Sequence, residues 1–265
     1  MTLITDADEV VQLFCRAPDA RRRFRQWETS RRRRHVVEHV MAHKTRILYE
    51  LTVDDITRAL PRNISDHALD EIKGDKAKEI ERIDKWNPDF AFTHVFHYAL
   101  EAIGTFPRWG DIYRFFQEDE RANVMLMEPA KREVEATVRD GWGRQEARAA
   151  MRWRVGNFYY SFLREAYAVV RLRAAGLDVR AHPLADALFR VDGWCGNKII
   201  SIYVRNPRFR DGYEGRKPQV ERILEGGDPS FEFHPVVLPP ASEFAKSHLP
   251  DDSQLRAAIR ELSKR

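Results

Sequence analysis

Cysteine is scarce in this chain: Cys15 and Cys195 are the two in 265 residues. They lie too far apart for paired zinc or redox spacings, which argues against a disulfide framework and makes reduced thiols the expectation. No run of about eighteen apolar residues exists to span a bilayer, and the opening MTLITDADEVVQLF lacks the basic-then-apolar layout of a secretory signal. A cytoplasmic chain with no membrane partner is expected. A P-loop, a dinucleotide-binding glycine pattern, a nucleophile elbow and a kinase signature are also missing, which removes the common nucleotide- and acyl-transfer enzymes. Nor is charge of one sign in large excess, since 45 Lys and Arg face 41 Asp and Glu, for a formal charge of +4.

What is present is a core-forming composition, 43% hydrophobic and 32% charged, enough for one sizeable globular domain or two small ones. The arginines are clustered: ARRRFRQWETSRRRRHVV (20–37), RWRVG (152–156) and RNPRFRDGYEGRK (205–217). Such clusters suit phosphate contacts or solvated faces.

Helical spacing dominates residues 1–150. SRRRRHVVEHVMAHKTRILYEL reads as one helix capped by Ser30, with Val36, Val40, His43, Ile47 and Leu51 on a stripe. NPDFAFTHVFHYALEAIG reads as another, ending at Gly104. Trp109, Phe115, Phe116 and Trp142 are expected as core anchors. From residue 151 the pattern changes. A long helix from Trp153 closes at Gly176, and strand-length apolar runs follow: LDVRAH, DALFRVD, KIISIYV and FEFHPVVLP, with helices KPQVERILEG and DSQLRAAIRELSKR interleaved. The expectation is an α+β chain, a helical N-terminal module (1–150) followed by an α/β domain (151–265) whose central mixed sheet is flanked by helices.

The acids of the second half draw attention. Glu165 projects from an apolar helix face between Phe162 and Val169, a place that calls for a partner. Asp186 is read as opening the strand DALFRVD, with DGWCGN turning it back onto KIISIYV, where Ser201, Tyr203 and Arg205 share a face. Asp192 is the alternative acid, set behind Asp186 because VDG is turn chemistry.

Glu in a helix, Asp after a proline at a strand start, a hairpin, then IISIYVRN: this order resembles the PD-(D/E)XK nuclease superfamily of restriction-endonuclease-like folds. The resemblance implies DNA or RNA as partner and Mg²⁺ on Glu165 and Asp186 in an active member, with no tightly bound cofactor otherwise. Tyr203 and Arg205 stand where the family has an acid and a lysine. Tyrosine is neutral near pH 7 and arginine is a poor proton carrier, so the leading expectation is a non-cleaving nucleic-acid-binding component of a mobile-element or antiviral system, with a divergent Mg²⁺-dependent nuclease as the alternative. Arg208, Arg210, Arg216 and Lys217, after the strand, and Arg31, Arg32, Arg33 and Arg34, near the N-terminus, are the expected phosphate contacts. The helical module is a place for protein partners. A minor reading takes HVVEH, with His35, Glu38 and His39, as an inverted zinc-peptidase motif.

Overall fold

A computed structural model of the chain describes residues 3–62, 66–69, 74–88, 92–204, 219–238 and 249–264. Strand β1 (Thr5–Asp6) leads directly into helix α1 (Ala7–Phe14), because the Asp6 side chain accepts the Glu9 N–H at 3.0 Å. Helix α2 (Pro18–Glu28) starts on a proline, whose missing N–H costs nothing in a first turn. A 3₁₀ turn (Arg31–Arg33) and helix α3 (Arg34–Met41) follow. The single helix expected over residues 30–51 is broken here. Strand β2 (Lys44–Thr45) leaves the helical path to pair antiparallel with β1, Thr5 opposite Thr45 and Asp6 opposite Lys44. Thr5, His43 and Thr45 are all buried at this join, so tertiary pairing outweighs the helical stripe. Helix α4 (Ile47–Glu50) then resumes.

Eight helices are described next: α5 (Val53–Thr57), α6 (Gly74–Glu79), α7 (Glu81–Asp84), α8 (Phe92–Ile103), α9 (Trp109–Glu118), α10 (Glu120–Ala122), α11 (Glu128–Arg139) and the long α12 (Arg144–Ala174). A π-helical turn (Asn123–Met127) joins α10 to α11. Gly104 and Gly176 end α8 and α12 in the left-handed region, at φ 81° and 88°. Strands β3 (Gly193–Cys195) and β4 (Lys198–Val204) form a hairpin about Gly196 (φ 61°), helix α13 (Val220–Ile223) comes next, and strand β5 (Glu232–Leu238) and helix α14 (Asp252–Ser263) complete the elements described.

The chain forms two compact units. One is contiguous, Asp54–Leu163; the other joins Met1–Val53 to Arg164–Arg265. The sequence reading divided the chain instead at 150/151.

In the contiguous unit, the rings of Phe96, Phe116, Tyr159 and Phe162 are buried together. Trp109 and Phe116 are core anchors as expected, while Phe115 and Trp142 are half-buried. The Tyr159 hydroxyl donates to the Pro107 carbonyl at 3.0 Å, which lets a phenol be buried here without an unmade bond.

In the joined unit, the sheet order is β3-β4-β5. Strands β3 and β4 are antiparallel, β4 and β5 parallel with Lys198 opposite Glu232 and Val204 opposite Leu238. On the outer side of β3, Arg180 and Trp194 exchange both backbone hydrogen bonds, at 2.7 and 2.9 Å. LDVRAH thus contributes a single bridge rather than a strand. Phe14 of α1 fills the space between Phe189, Trp194 and Phe231, ring centroids 5.3 to 5.7 Å away. The hydroxyl of Tyr49, also from the N-terminal stretch, lies 2.8 Å from Thr5 Oγ1, 2.9 Å from the Ala181 carbonyl and 3.0 Å from the Ala181 N–H. One proton and two lone pairs satisfy all three contacts if Tyr49 donates to the carbonyl and accepts from the other two. Among the described residues, no helix is long and apolar enough to cross a membrane.

Candidate metal centre

DALFRVD does not form the expected strand. Ala185–Phe189 is a π-helical turn, closed by Arg190 at φ 64°, and the chain is extended only from Gly193. The hairpin therefore sits several residues later than read. Asp192, taken for a turn residue, stands at the head of the strand, and Asp186 lies in the turn before it. Strand β4 fixes Asp192 in place, for the Ile202 N–H donates to its Oδ2 at 2.5 Å.

Glu165 reaches the same place from α12. A Cβ built on Gly193 would lie 3.2 Å from the Arg180 carbonyl and 3.4 Å from Val179 Cγ1, so the absence of a side chain lets the Val179–Arg180 segment lie close against the strand, while Val169 Cγ2 of α12 stands at an ordinary contact distance of 3.8 Å. Val169 is one helical turn beyond Glu165 on the same face. Val169 thus lies near Gly193, and Glu165, one turn earlier, near the neighbouring Asp192.

Glu165, Asp186 and Asp192 each present a carboxylate oxygen, and the three oxygens lie within 4.8 Å of one another. All three residues are half-buried, crowded by protein yet in reach of solvent. Burial raises the Glu165 carboxyl well above its ordinary 4.5, and the charges of Asp192 and Asp186 push it further, against a smaller opposing effect of Arg164. Asp192 is raised well above 3.8, first by burial and then by Asp186, while the Ile202 N–H and the charge of Arg190 work the other way. Three hard oxygen donors fit a divalent cation of the Mg²⁺ or Mn²⁺ type. Octahedral ligands at about 2.1 Å are separated by about 3.0 Å when adjacent and about 4.2 Å when opposed, so a small inward movement closes this cluster on one ion.

The remaining sequence candidates fall elsewhere. Tyr203 is on β4, 50% exposed, and contributes no carboxylate. Arg205, Arg208, Arg210, Arg216 and Lys217 lie outside the described residues. Lys198, the lysine of β4, donates to the Leu262 carbonyl at 3.1 Å and so caps the end of α14 rather than facing the acids. Arg31, Arg33 and Arg34 are exposed, with Arg34 held by Glu38 at 2.9 Å; the side chain of Arg32 is outside what the structure describes. In HVVEH, that ion pair occupies Glu38, and His35 is exposed while His39 is half-buried. Among the described residues, the acidic trio is the one group of three possible metal ligands. The sequence signal for Asp192 was its place directly before a buried Gly-Trp pair, a better strand start than a turn.

The contiguous helical unit holds a larger cleft, about 630 Å³, walled by Trp109, Phe116, Leu126 and Val134 with Lys131 and Arg148 among its lining. No family model, curated protein or solved structure matches the chain.

Proposed function

We propose that this protein is a divalent-metal-dependent nuclease whose centre is Glu165, Asp186 and Asp192. The observation that carries the reading is the convergence of three carboxylates from a helix, a turn and a strand start within 4.8 Å. Their mutual repulsion is a cost to the metal-free fold that a cation offsets. The mixed sheet, with an antiparallel pair and a parallel third strand, and the order of helix acid, strand-start acid, hairpin and strand support the likeness to PD-(D/E)XK nucleases, with Asp192 replacing Asp186 at the strand start. A bound divalent ion would polarise the phosphodiester and lower the pKa of an attacking water.

The chain's own groups supply the rest. The Ile202 N–H holds Asp192 in one orientation. Arg190, electrostatically coupled to Asp192, offers a fixed positive charge to the phosphorane, which accumulates negative charge as it forms. With Asp192 at the strand start, Asp186 in the turn makes up the third carboxylate that Tyr203 could not provide, and this reverses the order of the two sequence-based expectations.

The test uses the purified full chain with single- and double-stranded DNA and RNA in Mg²⁺ or Mn²⁺. Cleavage should appear, vanish with a chelator, and fall at least about 100-fold in Asp192→Asn with the circular dichroism spectrum unchanged. Oligonucleotide binding with no cleavage in either metal would return the protein to the non-cleaving reading.

A further inference from the structure

Beside the acidic trio, the same unit carries a small cleft of about 280 Å³ whose charged lining residues are all arginines. Arg23, Gln26, Trp27 and Ser30 from α2 and its end form one side, Arg33 from the 3₁₀ turn continues it, and the other side is the segment Ala187, Leu188 and Arg190 that directly follows Asp186. Three arginines and a half-buried indole therefore meet with no acid in the lining, against the turn that bears a candidate metal ligand.

We propose that this cleft holds one strand of single-stranded nucleic acid, a base stacked on Trp27 and the adjoining phosphates on Arg33 and Arg190. The proposal rests on the nuclease reading for its purpose, though not for its test. Cations that track a backbone beside an aromatic face are what single-strand sites are made of. The cleft lies at the small end of ligand-pocket sizes, room for about one nucleotide rather than a duplex. Phe24 backs the indole, its ring centroid 6.1 Å from that of Trp27, and Arg23 is steadied by Asp19 at 2.8 Å. Arg33 is exposed and ready to take a phosphate.

Arg190 supplies an independent argument. Its backbone is left-handed, φ 64°, a conformation in which a Cβ is strained and glycine is the comfortable residue. Nothing in the turn's backbone calls for arginine there. The guanidinium, two residues before Asp192 and in the lining of the cleft, is what the position provides, and strain of this kind gathers at binding sites.

The experiment is fluorescence anisotropy of a labelled twelve-nucleotide oligothymidylate, its oligouridylate counterpart and a duplex of the same length, with the full chain in a chelator so that no cleavage intervenes. The single strands should bind more tightly than the duplex and quench tryptophan emission. Arg33→Ala and Arg190→Gly should each weaken binding about tenfold and lower the salt slope by about one, while Trp27→Ala weakens it about tenfold or more with the slope unchanged. Arg31→Ala, outside the cleft, should leave affinity within about twofold. Because glycine suits the left-handed backbone, Arg190→Gly should keep or raise the melting temperature, so its loss of binding cannot be put down to misfolding. No single-strand binding by the wild-type chain, or unchanged affinity in the Arg33→Ala/Arg190→Gly double variant, would overturn the proposal. Failure of cleavage with this binding intact would count against the nuclease reading alone.

Discussion

Carboxylates crowded beyond what pairing can satisfy leave a signature in stability. Glu165 and Asp192 ionise in the folded chain well above their ordinary 4.5 and 3.8, chiefly through burial and then through repulsion within the trio. As pH rises from those ordinary values toward the raised ones, the unfolded chain has released protons that the native chain still binds, so stability falls with rising pH across that window. His182 acts in the opposite sense. Its Nδ1 accepts the Leu184 N–H at 3.0 Å and its Nε2 faces the His43 carbonyl at 3.2 Å, an arrangement that fixes a neutral ring with the proton on Nε2. Burial holds its pKa down to about 4 from 6.5, so as pH falls through that interval the unfolded chain takes up a proton the native one refuses, a loss of about 3 kcal/mol. Calorimetry in a chelator should therefore show Glu165→Gln melting higher than wild type at pH 7 to 8 and converging with it near pH 4. Adding Mn²⁺ should raise the wild-type melting temperature at neutral pH and leave Glu165→Gln nearly unmoved.

Among the elements, α12 and the start of β3 bring Glu165 and Asp192 together, and Gly193 lets the Arg180 bridge pack closely against that strand start. Gly193→Val places a Cβ 3.2 Å from the Arg180 carbonyl and 3.4 Å from Val179 Cγ1, with two methyl groups beyond it. We expect a loss of about 1 to 3 kcal/mol in denaturant unfolding and a weaker Mn²⁺ affinity by titration calorimetry, since the strand start yields from Arg180 and takes the adjoining Asp192 with it. The strands that could be read from sequence were those with an unbroken apolar run. KIISIYV and FEFHPVVL have no competing periodicity and form β4 and β5. DALFRVD has strand composition, but its backbone adopts a π turn that ends left-handed at Arg190, a feature no alternation of side chains reveals. Hence Glu165 and Asp186 were legible as candidates and do lie together in the acidic cluster, whereas Asp192 was set behind Asp186 as part of a turn that in fact lies at Gly196. Residues 30–51 misled for the reverse reason. Their helical stripe is real on both sides of β2, and only the distant β1 diverts the chain between them.

For the whole molecule, the division at 150/151 and the observed units make different predictions. A fragment of residues 151–265 would be a domain on the sequence reading. In the structure it lacks Phe14 against Phe189, Trp194 and Phe231, and Tyr49 on Ala181, so it should express as an aggregating or molten chain with no cooperative melting transition. Supplying residues 1–53 through a linker, as in a fusion to residues 164–265, should restore part of that cooperativity in calorimetry.

This discontinuity also sets a timetable for the growing chain. On the ribosome, Asp54–Leu163 can settle from neighbours in sequence, whereas Phe14 of α1 must wait until Phe189, Trp194 and Phe231 have been synthesised before its ring is covered. Until then α1 can pack only on near neighbours in sequence such as α2 and α3, and the Phe14 side of this amphipathic helix stays uncovered, which makes it a segment a holding chaperone would meet.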